Sequence, residues 1–195
     1  SITASGTVAG GSDGIYVRNN GTGGMTLAVA AVIGDPGGDG SGISAVNANN
    51  ASTVGLSITA SGTVSGGTDG IYAHNQGTGG LTLNVASVTG DADGDSVGRG
   101  IYARSDAAST GDVSITASGA VSGGSDGMRA VSYGTCGLTL DVADVTGDTD
   151  GDGNGRGIYV RDFNKASTKN VSITASGAVS GGTDGIFARN NGTGG

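Results

Sequence analysis

The sequence predicts an all-β fold, a right-handed parallel β-helix with three faces and about seven coils, and three observations carry that expectation. Of 195 residues 43 are Gly and one is Pro, with no Trp and no Glu. The hexapeptide SITASG begins at Ser1, Ser57, Ser114 and Ser172, a period of about 57 residues. Between the Gly-rich corners run short apolar segments that alternate inward and outward residues with the period of two that belongs to strands.

Gly at this level without a strict three-residue period excludes collagen, and 35% apolar residues in regular runs exclude a disordered tract. A second marker halves the repeat. Gly-Ile, or Gly-Met in one copy, begins at Gly14, Gly42, Gly70, Gly100, Gly127, Gly157 and Gly185. The elementary coil is therefore about 28 residues, too long for the six-residue period of left-handed β-helices. Short coils, typified by residues 57–80, alternate with longer ones, typified by residues 81–113. Each divides into three segments, for example Val113 to Ser118, Ala120 to Ser122 and Met128 to Val131. Ile58 and Ala60, or Leu83 and Val85, point inward, with Thr59 or Asn84 outward, around a dry aliphatic column. A coil of this kind depends on its neighbours for stability. The whole of 1–195 reads as one solenoid segment of a longer array, with units 1–56, 57–113, 114–171 and an incomplete 172–195.

The net charge of −8, from 17 Asp against nine Lys and Arg, speaks against nucleic-acid and acidic-membrane partners. No apolar run approaches the roughly 20 residues of a membrane helix, so no membrane insertion of this segment is expected. The single Cys136 excludes an internal disulfide.

The repeat SITASGTVSGGTDGIYAHNQGTGGLTLNVASVTG resembles that of very large bacterial autotransporter-type passenger and adhesin proteins, and the resemblance covers the whole chain. It implies a secreted β-helix at the cell exterior that serves as stalk, adhesin or matrix element. The expected function is a non-catalytic structural stalk or fibre of a bacterial surface that self-associates into fibres or bundles. A passenger binding surface glycans is the alternative. A polysaccharide-active enzyme is disfavoured because such active sites break the repeat, whereas these carboxylates sit at recurrent positions.

Two groups of residues are the candidate sites. In the long coils Asp148, Asp150, Asp152 and Asn154 spell an alternating acidic loop, and Asp91, Asp93 and Asp95 repeat its first positions. Alternate carboxylates in a turning loop converge on Ca²⁺, which takes six to eight oxygens, although the closing Glu of an EF-hand is missing. Otherwise the loops are solvated acidic turns that keep the rod soluble. The second group is an outward ladder after the corner Gly: Tyr16, Ser44, Tyr72, Tyr102, Arg129, Tyr159 and Phe187, beside Arg18, Val46, His74, Arg104, Val131, Arg161 and Arg189. Aromatics beside Arg bind sugars or a neighbouring rod, or simply stabilise the sheet by stacking.

Asp13, Asp69, Asp126 and Asp184 recur in a (Ser/Thr)-Asp-Gly corner, where local turn chemistry, with Asp bonding the backbone two residues on, accounts for them. His74 and Cys136 lack the partners of a zinc site or a thiol nucleophile. Ser1, Thr26, Ser57, Thr82, Ser114, Thr139 and Ser172 form an all-hydroxyl rank that raises an ice-binding reading. The mixed neighbouring rank of Thr3, Ala28, Thr59, Asn84, Thr116, Asp141 and Thr174 argues against a lattice match.

Overall fold

In the computed structural model, which describes residues 1–94 and 98–195, the chain winds into three parallel sheets of seven strands each. The first face stacks β1 (Ile2–Ala4), β4 (Met25–Val29), β7 (Leu56–Ala60), β10 (Leu81–Val85), β13 (Val113–Ala117), β16 (Leu138–Val142) and β19 (Val171–Ala175). The second is a narrow edge of two-residue strands: β2 (Val8–Ala9), β5 (Val32–Ile33), β8 (Val64–Ser65), β11 (Val88–Thr89), β14 (Val121–Ser122), β17 (Val145–Thr146) and β20 (Val179–Ser180). The third holds β3 (Ile15–Asn19), β6 (Ile43–Asn47), β9 (Ile71–Asn75), β12 (Ile101–Ser105), β15 (Met128–Ser132), β18 (Arg156–Asp162) and β21 (Asp184–Asn190). No helix occurs among the described residues.

Register follows from the repeat. Leu56 pairs with Leu81 and Leu81 with Val113, while Ile43 pairs with Ile71 and Ile71 with Ile101. Because side chains alternate every residue, each rank of equivalent positions becomes a column along the rod. Val32, Val64, Val88, Val121 and Val145 line the second face with almost no exposure. On the first face Leu27, Ile58, Leu83, Ile115 and Leu140 form the central column, while Val29, Ala60, Val85, Ala117 and Val142 alternate large and small. Long coils carry Val where short coils carry Ala, so the core stays filled although coil length changes.

The Gly of the Gly-Ile marker is required by close approach. A Cβ on Gly70 would lie 2.5 Å from Val88 Cγ1 and 2.7 Å from the Gly100 carbonyl oxygen. Here the second face turns sharply into the third, and the coil above leaves no room for a methyl group.

The expectation of a dry, wholly aliphatic core is corrected at the corner that leaves the third face. Asn47, Asn75, Ser105, Ser132 and Asp162 are buried there in one column, with Ser52, Ser109 and Ser167 beside them. Asn19 Nδ2 donates to Asn47 Oδ1 at 3.0 Å, and Asn47 Nδ2 donates to Asn75 Oδ1 at 2.8 Å. Asn75 Nδ2 also donates to the Gly79 carbonyl at 2.6 Å. Ser52 Oγ donates to the Gly23 carbonyl at 3.0 Å, and Ser109 Oγ to that of Gly79 at 3.2 Å. The turn leaves backbone groups that no sheet partner satisfies, and buried polar side chains supply the missing bonds.

Candidate functional site: the aromatic and arginine face and its acidic corner

The third face brings the expected ladder together, but most of its rings are occupied by the rod itself. Tyr72 meets Tyr102 edge-on with centroids 5.5 Å apart. Arg99 and Arg129 lie over the Tyr102 ring at 4.8 and 5.8 Å, and Arg129 and Arg156 lie over Tyr159 at 4.5 and 5.4 Å. Tyr159 stacks on Phe187 at 5.1 Å with planes 6° apart. The strand spacing of about 4.8 Å matches the separation of stacked rings, so pairing of the backbone places the rings in contact. Tyr159 is consequently only 8% exposed, whereas Tyr16, cut off from the column by Ser44, is 64% exposed. Burial, with Tyr102 beside it, pushes the Tyr72 hydroxyl above its usual range.

A second column runs along the edge of this face. Arg104 lies over Tyr133 at 5.0 Å, Tyr133 stacks on Phe163 at 4.7 Å, and Arg161 lies over Phe163 at 4.0 Å. Tyr133 and Phe163 were not among the expected site residues. They follow the buried Ser132 and Asp162, in a rank with Asn20, Gln76, Asp106 and Asn191 whose identity changes from coil to coil. The signal was there only as a break in the repeat.

Carboxylates pair with four of the arginines: Asp69 with Arg99 at 3.5 Å, Asp106 with Arg104 at 2.8 Å, Asp126 with Arg129 at 3.5 Å and Asp184 with Arg156 at 3.0 Å. Arg18 and Arg189 instead donate Nε to Asn20 and Asn191 at 3.0 and 2.8 Å. The corner aspartates also differ from the local turn expected of them. Asp13 Oδ1 accepts the Ser41 N–H at 2.8 Å, Asp69 that of Arg99 at 3.1 Å and Asp126 that of Arg156 at 3.3 Å. The first three short coils are thus tied to the backbone of the long coil that follows each of them.

The acidic loops bulge from the corner that enters the third face. Asp91 and Asp148 begin them in equivalent left-handed conformations, with φ of 56° and 61°. Their amides donate to the Thr68 and Ser125 carbonyls of the preceding coil at 2.8 and 2.9 Å. The side chains of Asp148, Asp150 and Asp152 each bring one oxygen within 4.8 Å of the others. One Ca²⁺, bound at about 2.3–2.6 Å from each oxygen, spans such separations. Asp148 Oδ1 accepts the Gly153 N–H at 2.8 Å, and Asp152 accepts the Asn154 N–H at 2.8 Å and its side-chain amide at 3.0 Å. Asn154 holds the Asp152 carboxyl below its ordinary value. Asn154 therefore orients a carboxylate by donation. Asp91 is buried and Asp93 exposed, and Asp95 lies outside the described residues.

His74 Nε2 lies 2.9 Å from Asp106 Oδ2, and its Nδ1 lies 3.5 Å from the Tyr72 hydroxyl. Cys136 is buried, with its sulfur 2.8 Å from Ser132 Oγ. On the first face the hydroxyl rank is in register, Thr26 with Ser57, Thr82 with Ser114 and Thr139 with Ser172. No helix is long and apolar enough to cross a membrane among the described residues. No family model, curated protein or solved structure matches the chain.

Proposed function

We propose that the chain is a non-catalytic structural element of a bacterial cell exterior, a stiff rod that associates sideways with other copies of itself. The observation that carries this reading is the engagement of the third-face rings and guanidinium groups in columns that cross successive coils. Such columns resist bending and separation of coils along the whole length, which is what a stalk or fibre requires.

Charge placement supports the sideways association. Arg18, Arg104, Arg129, Arg161 and Arg189 lie on third-face strands, and Lys165 and Lys169 on the corner that leaves them. The Asp-rich loops occupy the opposite border of the same face. A second rod shifted or rotated against the first sets its acidic loop on Arg18, Arg161 or Arg189. A contact worth about 1 kcal/mol, repeated along a rod, becomes strong through multivalency. The same reading takes the Asp148, Asp150 and Asp152 loop as a Ca²⁺ site of the extracellular medium, supported by the three converging carboxylate oxygens.

Electron microscopy and light scattering of the purified chain at increasing NaCl test the proposal. Bundled rods are expected at low salt and separate rods near 1 M, where screening shortens the reach of charge to about 3 Å. Arg161→Ser with Arg189→Ser is expected to leave single rods at every salt. Rods that remain single at low salt and high protein concentration would overturn the sideways association.

A further inference from the structure

We infer that a notch beside the third coil, a short one, is a binding site for a neutral saccharide, formed where the coil-length alternation leaves a gap. The corner after the third face spans residues 48–55 in the second coil and 106–112 in the fourth, but only 76–80 in the third. The two longer loops project on either side of the shorter one. The depression between them, of about 340 Å³, is lined by Asn50, Gln76, Arg104, Asp106 and Tyr133, with Ala107 and Ala108 as its apolar wall. That volume lies at the small end of ligand pockets. At the next short coil the equivalent position holds Tyr133, whose ring stacks on Phe163.

The lining decides the ligand class. Two carboxamides, one carboxylate and one guanidinium are planar groups that pair two neighbouring hydroxyls at once, and they come from three successive coils. Asp106 is fixed from both sides, by Arg104 Nε on Oδ1 at 2.8 Å and by His74 Nε2 on Oδ2 at 2.9 Å. Each of its oxygens keeps a lone pair for a hydroxyl. Because Asp106 neutralises Arg104, the notch offers no excess positive charge to an anion. The exposed edge of Tyr133 and the two Ala methyl groups suit the C–H surface of a sugar ring. The inference does not rest on the structural reading above, since a rod can carry one such site at a place where its repeat is broken.

The test is saturation-transfer NMR and calorimetry on the whole chain with two probe panels, neutral gluco-, manno- and galacto-oligosaccharides and uronic-acid oligosaccharides. Binding of at least one neutral probe is expected, weakened at least tenfold by Gln76→Ala and by Asn50→Ala. Both residues lie outside the strands, Asn50 exposed and Gln76 half-buried, and an unchanged circular dichroism spectrum shows that the fold is kept. Asp106→Ala is expected to abolish binding. Absence of neutral binding at millimolar probe, binding confined to uronic acids, or equal affinity in the Gln76 and Asn50 variants would each overturn the inference. Bundling of the rods is unaffected by any of these outcomes.

Discussion

The Asp69 carboxylate accepts the backbone N–H of Arg99 in the following coil at 3.1 Å and meets its guanidinium at 3.5 Å. Burial pushes the Asp69 carboxyl above its ordinary value of 3.8, against the opposing charge and hydrogen bonds of Arg99. A raised native pKa means that the folded chain holds this proton more tightly than the unfolded one. The contribution of Asp69 to stability therefore grows as pH falls through the native pKa towards 3.8, and is lost as pH rises through it. Asp69→Asn keeps an acceptor for Arg99 and removes the titration. Urea unfolding of both proteins between pH 4 and 7 is expected to show the parent gaining on the variant as pH falls. A flat difference would mean that burial does not govern this carboxyl.

Gly70→Ala is expected to destabilise the rod by about 1–3 kcal/mol, the usual cost of overpacking. The new Cβ would sit 2.5 Å from Val88 Cγ1 and within 2.8 Å of two backbone carbonyl oxygens, none of which can move without disturbing the coil above. Gly11→Ala is the control, since nothing lies within 4 Å of its Cβ position. Its effect is expected to be neutral or slightly stabilising through the unfolded state. Equal losses in thermal unfolding for both variants would show that the marker Gly is not held by close approach.

The repeat made the rod legible because an in-register parallel stack turns sequence equivalence into spatial adjacency. The pairing of Tyr72 with Tyr102, or Thr82 with Ser114, follows from counting along the chain. The Asn47 and Asn75 column was not read because strand alternation marks those positions as inward and hydropathy marks them as outward. What decides is the unsatisfied backbone of the turn, which no residue pattern displays. The reach of Asp13, Asp69 and Asp126 into the next coil was missed for a related reason. A Ser/Thr-Asp-Gly string spells a local turn, and only the stacked coil offers a stronger donor. Occupancy of the aromatic face by its own arginines was equally hidden, since Arg99 and Arg156 approach it from the corner rather than from the ladder.

Calcium at ten times its Kd is expected to stabilise the chain by about 1.4 kcal/mol, which raises Tm by about 3–6 °C for a chain of this size. Asp152 stays ionised throughout such a test, because Asn154 holds its carboxyl below the ordinary value. The measurement is differential scanning fluorimetry in millimolar Ca²⁺ against chelator, repeated on Asp150→Asn with Asp152→Asn. No shift in the parent chain would leave the loop an acidic turn closed by its own hydrogen bonds. A shift that survives the double substitution would place the ion elsewhere.

Tyr159 and Tyr16 occupy one rank but different surroundings, and substituting each by Ser separates the role of the column from that of the exposed face. Ser44 already stands in this rank, so the backbone accepts Ser. Tyr159 is 8% exposed, stacked on Phe187 and covered by Arg129 and Arg156. Its removal uncovers apolar area worth about 2–3 kcal/mol and breaks a stack worth about 1 kcal/mol more. Tyr16, at 64% exposure, gives up little buried area, and its loss is expected to stay within about 0.5 kcal/mol. Chemical unfolding of the two variants checks this ordering. If Tyr159→Ser proves as mild as Tyr16→Ser, the rings do not brace the rod, and the column is free to serve as a binding face.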